Sequence, residues 1–124
     1  MTKTRALVPA HIPVEIRAPE GARLLEIVWD DGTSMLYEHR VLRGLCPCAH
    51  CQGHSGAIKW VEATETLADS VFALSSLKQV GAYALGLAWG DGHSSGIYTY
   101  RYLLELGELY GRSLDEVRAL EFDR

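Results

Sequence analysis

Cysteine is scarce in this chain of 124 residues. There are three, and all lie in the stretch Leu45-Cys46-Pro47-Cys48-Ala49-His50-Cys51. An odd number of thiols cannot all pair within one chain, which argues against a disulfide framework. Long apolar runs are missing as well. None approaches the roughly 20 residues of a membrane span. Residues 1–13 carry Lys3 and Arg5, but Pro9 and His11 interrupt any apolar core, so a secretory signal is not expected. Clustered thiols without such a signal fit a reducing compartment, and the expected location is the cytoplasm. Charge of one sign is not in excess. The formal net charge is −4, which creates no field for nucleic acid or an acidic membrane surface. Arg40 and Arg43 are expected on a solvated face. Catalytic signatures are absent too. There is no Gly-rich phosphate loop, no Ser/His/Asp arrangement, and no H-x-D or H-x-E with which a two-histidine, one-carboxylate iron site begins.

What is present is an ordinary globular composition, 48% apolar and 23% charged, in a chain long enough for one domain with one modest core. Residues 1–11 are expected to form a flexible leader and 12–124 a single domain. Alternating apolar and polar residues predict a strand over 13–17, a run of β-forming residues a second over 24–29, and the turn at Asp30-Asp31-Gly32 a returning strand over 34–38. Further strands are predicted over 58–61, 71–80, 83–89 and 95–99. In the strand over 71–80, Val71, Ala73, Ser75 and Leu77 would share one face. Helical spacing marks 39–45 and 100–110. Ser113 and Glu116 have the spacing of a capping box and open a short terminal helix. Trp29-Asp30-Asp31-Gly32 and Trp89-Gly90-Asp91-Gly92 echo each other, and each has a hairpin signal at Asp-Gly. The expected fold class is α+β, mainly antiparallel strands with two Trp-x-Asp-Gly hairpins, short helices and a structural Cys3His zinc site. The three tryptophans, His11 and His39 are given packing or surface roles.

The spacing C-x-C-x-x-C brings three thiolates to one point. They repel one another unless they are protonated or bound to a cation, so a metal ion relieves the crowding. Zinc accepts a mixed shell of Cys and His and needs four tetrahedral ligands. Three histidines compete for the fourth position. His50 lies inside the cysteine loop, His54 just beyond it, and His93 far along the chain after the second Asp-Gly. His93 is favoured, because its bond would cross-link two halves of a small domain and close a long loop. Asp91 would then be available to its second ring nitrogen. An iron–sulfur cluster normally takes four cysteines, and a catalytic thiol needs one activated sulfur beside a base. Both are weaker fits to three equivalent thiols.

Leu42-Arg43-x-x-Cys46-x-Cys48-x-x-Cys51 followed by Trp89-x-Asp91-Gly92-His93-x-Ser95 resembles the N-terminal domain of γ-butyrobetaine hydroxylase and trimethyllysine hydroxylase, over about residues 12–108. The resemblance implies a structural zinc held by Cys46, Cys48, Cys51 and His93. It also implies an accessory domain without the catalyst, because in those hydroxylases the iron and 2-oxoglutarate site belongs to a separate C-terminal domain. Similar domains occur alone in bacteria, or fused to P-loop carriers that handle iron–sulfur clusters. The implied function is a non-enzymatic, zinc-stabilised interaction module, an adaptor for an iron–sulfur carrier protein or an oxygenase partner. The alternative is a carrier of metal or an iron–sulfur cluster, or a small redox enzyme, using the Cys trio. An exposed strand edge would also allow a homodimer.

Overall fold

A computed structural model describes residues 11–53 and 56–123. The fold is α+β, built from antiparallel sheets and short helices. Strands β1 (Pro13–Arg17), β2 (Leu24–Trp29) and β3 (Ser34–Glu38) form one three-stranded sheet in the order β1-β2-β3. Helix α1 (His39–Gly44) follows without a break, and then a one-turn helix α2 (Ala49–Gln52). Strand β4 (Ile58–Lys59) and two 3₁₀ segments, Glu62–Thr66 and Asp69–Phe72, lead to the second sheet. That sheet has the order β5-β6-β7, from β5 (Leu74–Val80), β6 (Ala84–Trp89) and β7 (Gly96–Thr99). Helix α3 (Tyr100–Leu106), a 3₁₀ turn, α4 (Leu114–Arg118) and β8 (Glu121–Phe122) complete the chain, and β8 pairs with β4. The expected leader lies outside the described residues apart from His11, as does His54.

The two large sheets repeat one plan in which three strands lead straight into a helix. The repeat extends to individual hydrogen bonds. The Trp29 N–H donates to Thr33 O and the Trp89 N–H to His93 O. Gly32 N–H closes back on Trp29 O and Gly92 N–H on Trp89 O, with both glycines at positive φ (88° and 86°). The first helical residue donates to the carbonyl just before the middle strand, His39 to Arg23 O and Tyr100 to Tyr83 O. Both first strands carry a register shift opposite the tryptophan, between Pro13 and Glu15 and between Leu74 and Ser76.

That second bulge corrects the predicted face of 71–80. An extra residue in one strand re-aims its side chains. Leu74, Leu77 and Val80 are the half-buried positions of β5, Ser75 is exposed, and Val71 lies in the preceding 3₁₀ segment. Strand β2 keeps the plain alternation, with Leu25, Ile27 and Trp29 buried. Strand β6 is covered almost throughout. A single core joins both sheets and α3, around Trp29, Trp89, Tyr98, Leu42 and Leu103. Three tyrosine hydroxyls donate to backbone carbonyls inside it, Tyr37 to Leu103, Tyr98 to Leu42 and Tyr102 to Leu45. Buried carbonyls left without donors would cost more than those bonds contribute. His39 is buried rather than on the surface, 3% exposed. The first turn of α1 packs inward, so its ring stands edge-on to Trp89 and its Nδ1 meets Phe72 O at 2.9 Å.

Candidate metal centre

Helix α1 delivers the cysteines. Its last turn closes with Leu45 N–H on Val41 O and Cys46 N–H on Arg43 O. Tyr98 and Tyr102 hold Leu42 O and Leu45 O, so the approach to Cys46 is pinned from β7 and α3. Pro47 then redirects the chain. Cys48 stands at the N-cap of α2, and its carbonyl takes the N–H groups of Cys51 and Gln52. Positions i and i+3 of one turn face the same way, which puts the Cys48 and Cys51 sulfurs on one side. Gln52 clamps the loop from behind. Its Nε2 donates to Cys46 O at 3.0 Å and Lys59 O at 2.7 Å, and its Oε1 accepts from the Lys59 N–H at 2.9 Å.

His93 arrives from the turn between β6 and β7. Its backbone N–H donates to Asp91 Oδ1 at 3.0 Å. Its Nε2 lies 3.4 Å from Cys46 Sγ, 3.6 Å from Cys48 Sγ and 3.5 Å from Cys51 Sγ. A tetrahedral zinc with S at about 2.3 Å and N at about 2.0–2.1 Å requires an S···N edge of about 3.6 Å. The four donor atoms all lie within 4.8 Å of one another. The residues present therefore fit a four-coordinate metal of zinc's size and donor preference. Among the described residues, His50 is not part of this group; it is exposed, its ring centroid 6.1 Å from that of His93.

The electrostatics suit a cation as well. Burial pushes the Cys46 and Cys51 thiols up, which disfavours free thiolates there. At Cys48, burial is outweighed by hydrogen bonds from Ser95 and the Cys51 backbone, and its thiol sits below the usual value. Burial, with the charge of Arg43, lowers His93 and favours the neutral ring a metal needs. Asp91 does not take the ring nitrogen of His93 as the sequence suggested. It takes the backbone N–H on one oxygen and Arg43 on the other. These bonds outweigh burial and hold its carboxyl low.

Two residues of this centre escaped the sequence reading. Arg43, expected on a solvated face, is buried, its guanidinium between Cys51 and Asp91. The signal was its place three residues before the first cysteine, on a helix that has to end there. Gln52 carried no signal beyond adjacency. A second cluster brings His11 Nδ1 to 3.2 Å from Asp30 Oδ1 and His11 Nε2 to 3.6 Å from Asp31 Oδ2, with both aspartates exposed.

Among curated proteins none matches the chain. The chain is similar to a protein of unknown function of the DUF971 family from Acidithiobacillus ferrooxidans, with 34% identity and a TM-score of 0.59, over 77% of this chain and 91% of that one. Two proteins with NMR solution structures are similar at 28% and 25% identity, with TM-scores of 0.58 and 0.59. The first comparison covers 82% of this chain and 76% of the other; the second covers 85% and 74%. Residues 16–104 match the family described as gamma-butyrobetaine hydroxylase-like, N-terminal. The chain belongs to that family.

Proposed function

We propose that Cys46, Cys48, Cys51 and His93 hold one structural zinc ion, and that the domain is a non-enzymatic interaction module stabilised by it. One observation carries this reading: three sulfurs from one loop surround the Nε2 of a histidine 42 residues further on, at the edge length of a tetrahedral site. Four protein donors leave no open position for water or substrate, which separates structural from catalytic zinc. When bound, the ion supplies a redox-inert cross-link and no reaction chemistry. This chain's residues supply the rest. Tyr98, Tyr102 and Gln52 fix the loop, and the Asp91 turn presents His93. The two Trp-x-Asp-Gly turns are one hairpin design used twice, and only the second places an imidazole after the turn. The reduced thiols fit a cytoplasmic setting. The family resemblance points to a protein partner, an iron–sulfur carrier or an oxygenase, for which the domain would act as adaptor.

Elemental analysis and an absorption spectrum of anaerobically purified protein test the metal. Stoichiometric zinc with a featureless visible spectrum is expected. Iron with sulfide-to-iron charge-transfer bands would replace this reading by that of a cluster carrier. His93→Ala should lose most of its zinc and melt lower, while His50→Ala should do neither. A His93→Ala protein with full zinc occupancy refutes the cross-link. Affinity capture from the native cell tests the partner class, and recovery of neither an iron–sulfur carrier nor an oxygenase counts against the adaptor role.

A further inference from the structure

The proposed centre carries one net negative charge, because three thiolates outweigh a divalent ion and a neutral imidazole adds nothing. Cys46 is fully buried, so water cannot solvate that side of it. A charge in such a place needs a partner within hydrogen-bond reach. Arg43 is that partner by position. It sits in the last turn of α1, and its side chain is 10% exposed. One guanidinium nitrogen, Nη1, lies 3.8 Å from Cys51 Sγ, and the other, Nη2, lies 3.3 Å from Asp91 Oδ2. Asp91 spends its second oxygen on the His93 N–H. The path Cys51–Arg43–Asp91–His93 therefore joins both halves of the site through protein atoms alone. A lysine is a point donor without the planar fork that serves both partners. Arg40, one turn earlier on the same helix, is exposed.

We propose that Arg43 is the counter-ion of the metal centre and the positioning residue for its fourth ligand. One arm of the guanidinium draws charge from the Cys51 thiolate, and the other anchors the turn that presents His93. The inference rests on the metal-centre reading above and deepens it. It has a spectroscopic consequence. An N–H donated to a thiolate lowers the energy of the sulfur lone pairs, so sulfur-to-metal charge transfer into an open-shell ion requires more energy.

The test uses the full chain with Co(II) in place of zinc, together with zinc competition against a chromophoric chelator. Arg43→Met should move the sulfur-to-cobalt band to longer wavelength. It should also weaken zinc binding by about 10–100-fold, the usual effect of losing a group that orients a ligand. Asp91→Ala leaves Arg43 beside Cys51, so it should weaken binding without moving the band. Arg40→Met should change neither. If Arg43→Met does not fold, Arg43→Lys takes its place, with both effects in the same direction and smaller. Arg43 variants with the wild-type band and affinity overturn the role given to Arg43. Wild-type protein that binds neither cobalt nor zinc overturns the metal centre itself, which is a different failure.

Discussion

Substituting Gly44 by alanine sets two opposed effects against each other at the exit of α1. In a helix, alanine is favoured over glycine by roughly 0.5–1 kcal/mol. Against that, an added Cβ would lie 2.2, 2.4 and 2.7 Å from three carbons of the Trp60 ring. Ordinary carbon contacts are about 3.5–4.0 Å, so the ring must withdraw by more than an ångström. It has little room, being 7% exposed and tied through Nε1 to Glu65 at 3.0 Å. Overpacking of this kind costs about 1–3 kcal/mol, and losing the indole hydrogen bond adds about 1 kcal/mol. The expected net effect is destabilisation by about 1–3 kcal/mol, or roughly 3–10 °C in melting temperature for a domain of this size. Denaturation by urea at fixed free zinc measures it. In a Trp60→Leu background the same glycine change should cost little, and the cycle should show an interaction energy of about 1 kcal/mol or more. A Gly44→Ala protein as stable as wild type or more stable refutes the steric reasoning, because propensity would then have won.

Tyr102→Phe removes the hydroxyl that donates to Leu45 O at 2.6 Å and leaves that buried carbonyl unpaired. It should cost about 1–3 kcal/mol in chemical denaturation and speed release of the proposed zinc ion to a chelator. Tyr83→Phe, at an exposed ring, should do neither. The pH dependence of stability should carry a mark of His39. Burial lowers its pKa and the Phe72 carbonyl opposes this only in part, so the folded state binds its proton less readily than the unfolded chain does. Stability from this residue is therefore complete above the unfolded value of about 6.5 and is lost as pH falls through it toward the lower folded value. Melting curves between pH 8 and pH 5 should show a shallower decline in His39→Asn than in wild type; equal slopes would count against it. Ser113→Ala breaks a complete capping box, in which Ser113 Oγ accepts from the Glu116 N–H and Glu116 Oε1 accepts from the Ser113 N–H. It should cost about 1 kcal/mol and leave zinc affinity unchanged; altered affinity would show that α4 communicates with the site.

Local chemistry was legible in the order of residues. The run of β-forming residues in Leu24–Trp29 marked β2, whose Leu25, Ile27 and Trp29 are buried while the positions between them are half-buried. Asp-Gly marked both turns, and Ser113 with Glu116 marked the start of α4, because these signals act within four residues of themselves. The Cys trio announced a metal-sized cluster for the same reason. Elsewhere the deciding contact came from far along the chain. The bulge between Leu74 and Ser76 overrode the alternation predicted there, and a 3₁₀ segment replaced the strand predicted at Val71. The two-residue strand β8 exists only because β4, some 60 residues earlier, offers its edge. On a short helix whose apolar positions are Val41, Leu42 and Leu45, His39 and Arg43 read as surface residues. They are buried because the second sheet, with Trp89 and Asp91, closes over that helix. His93 stands where Thr33 stands in a turn with the same backbone hydrogen bonds, and only packing of α1 and the cysteine loop against β7 puts its ring among three sulfurs. Sequence determined which groups could bind a metal. The tertiary structure decided which of them meet, because ligand distance and burial depend on elements that the chain brings together only when folded.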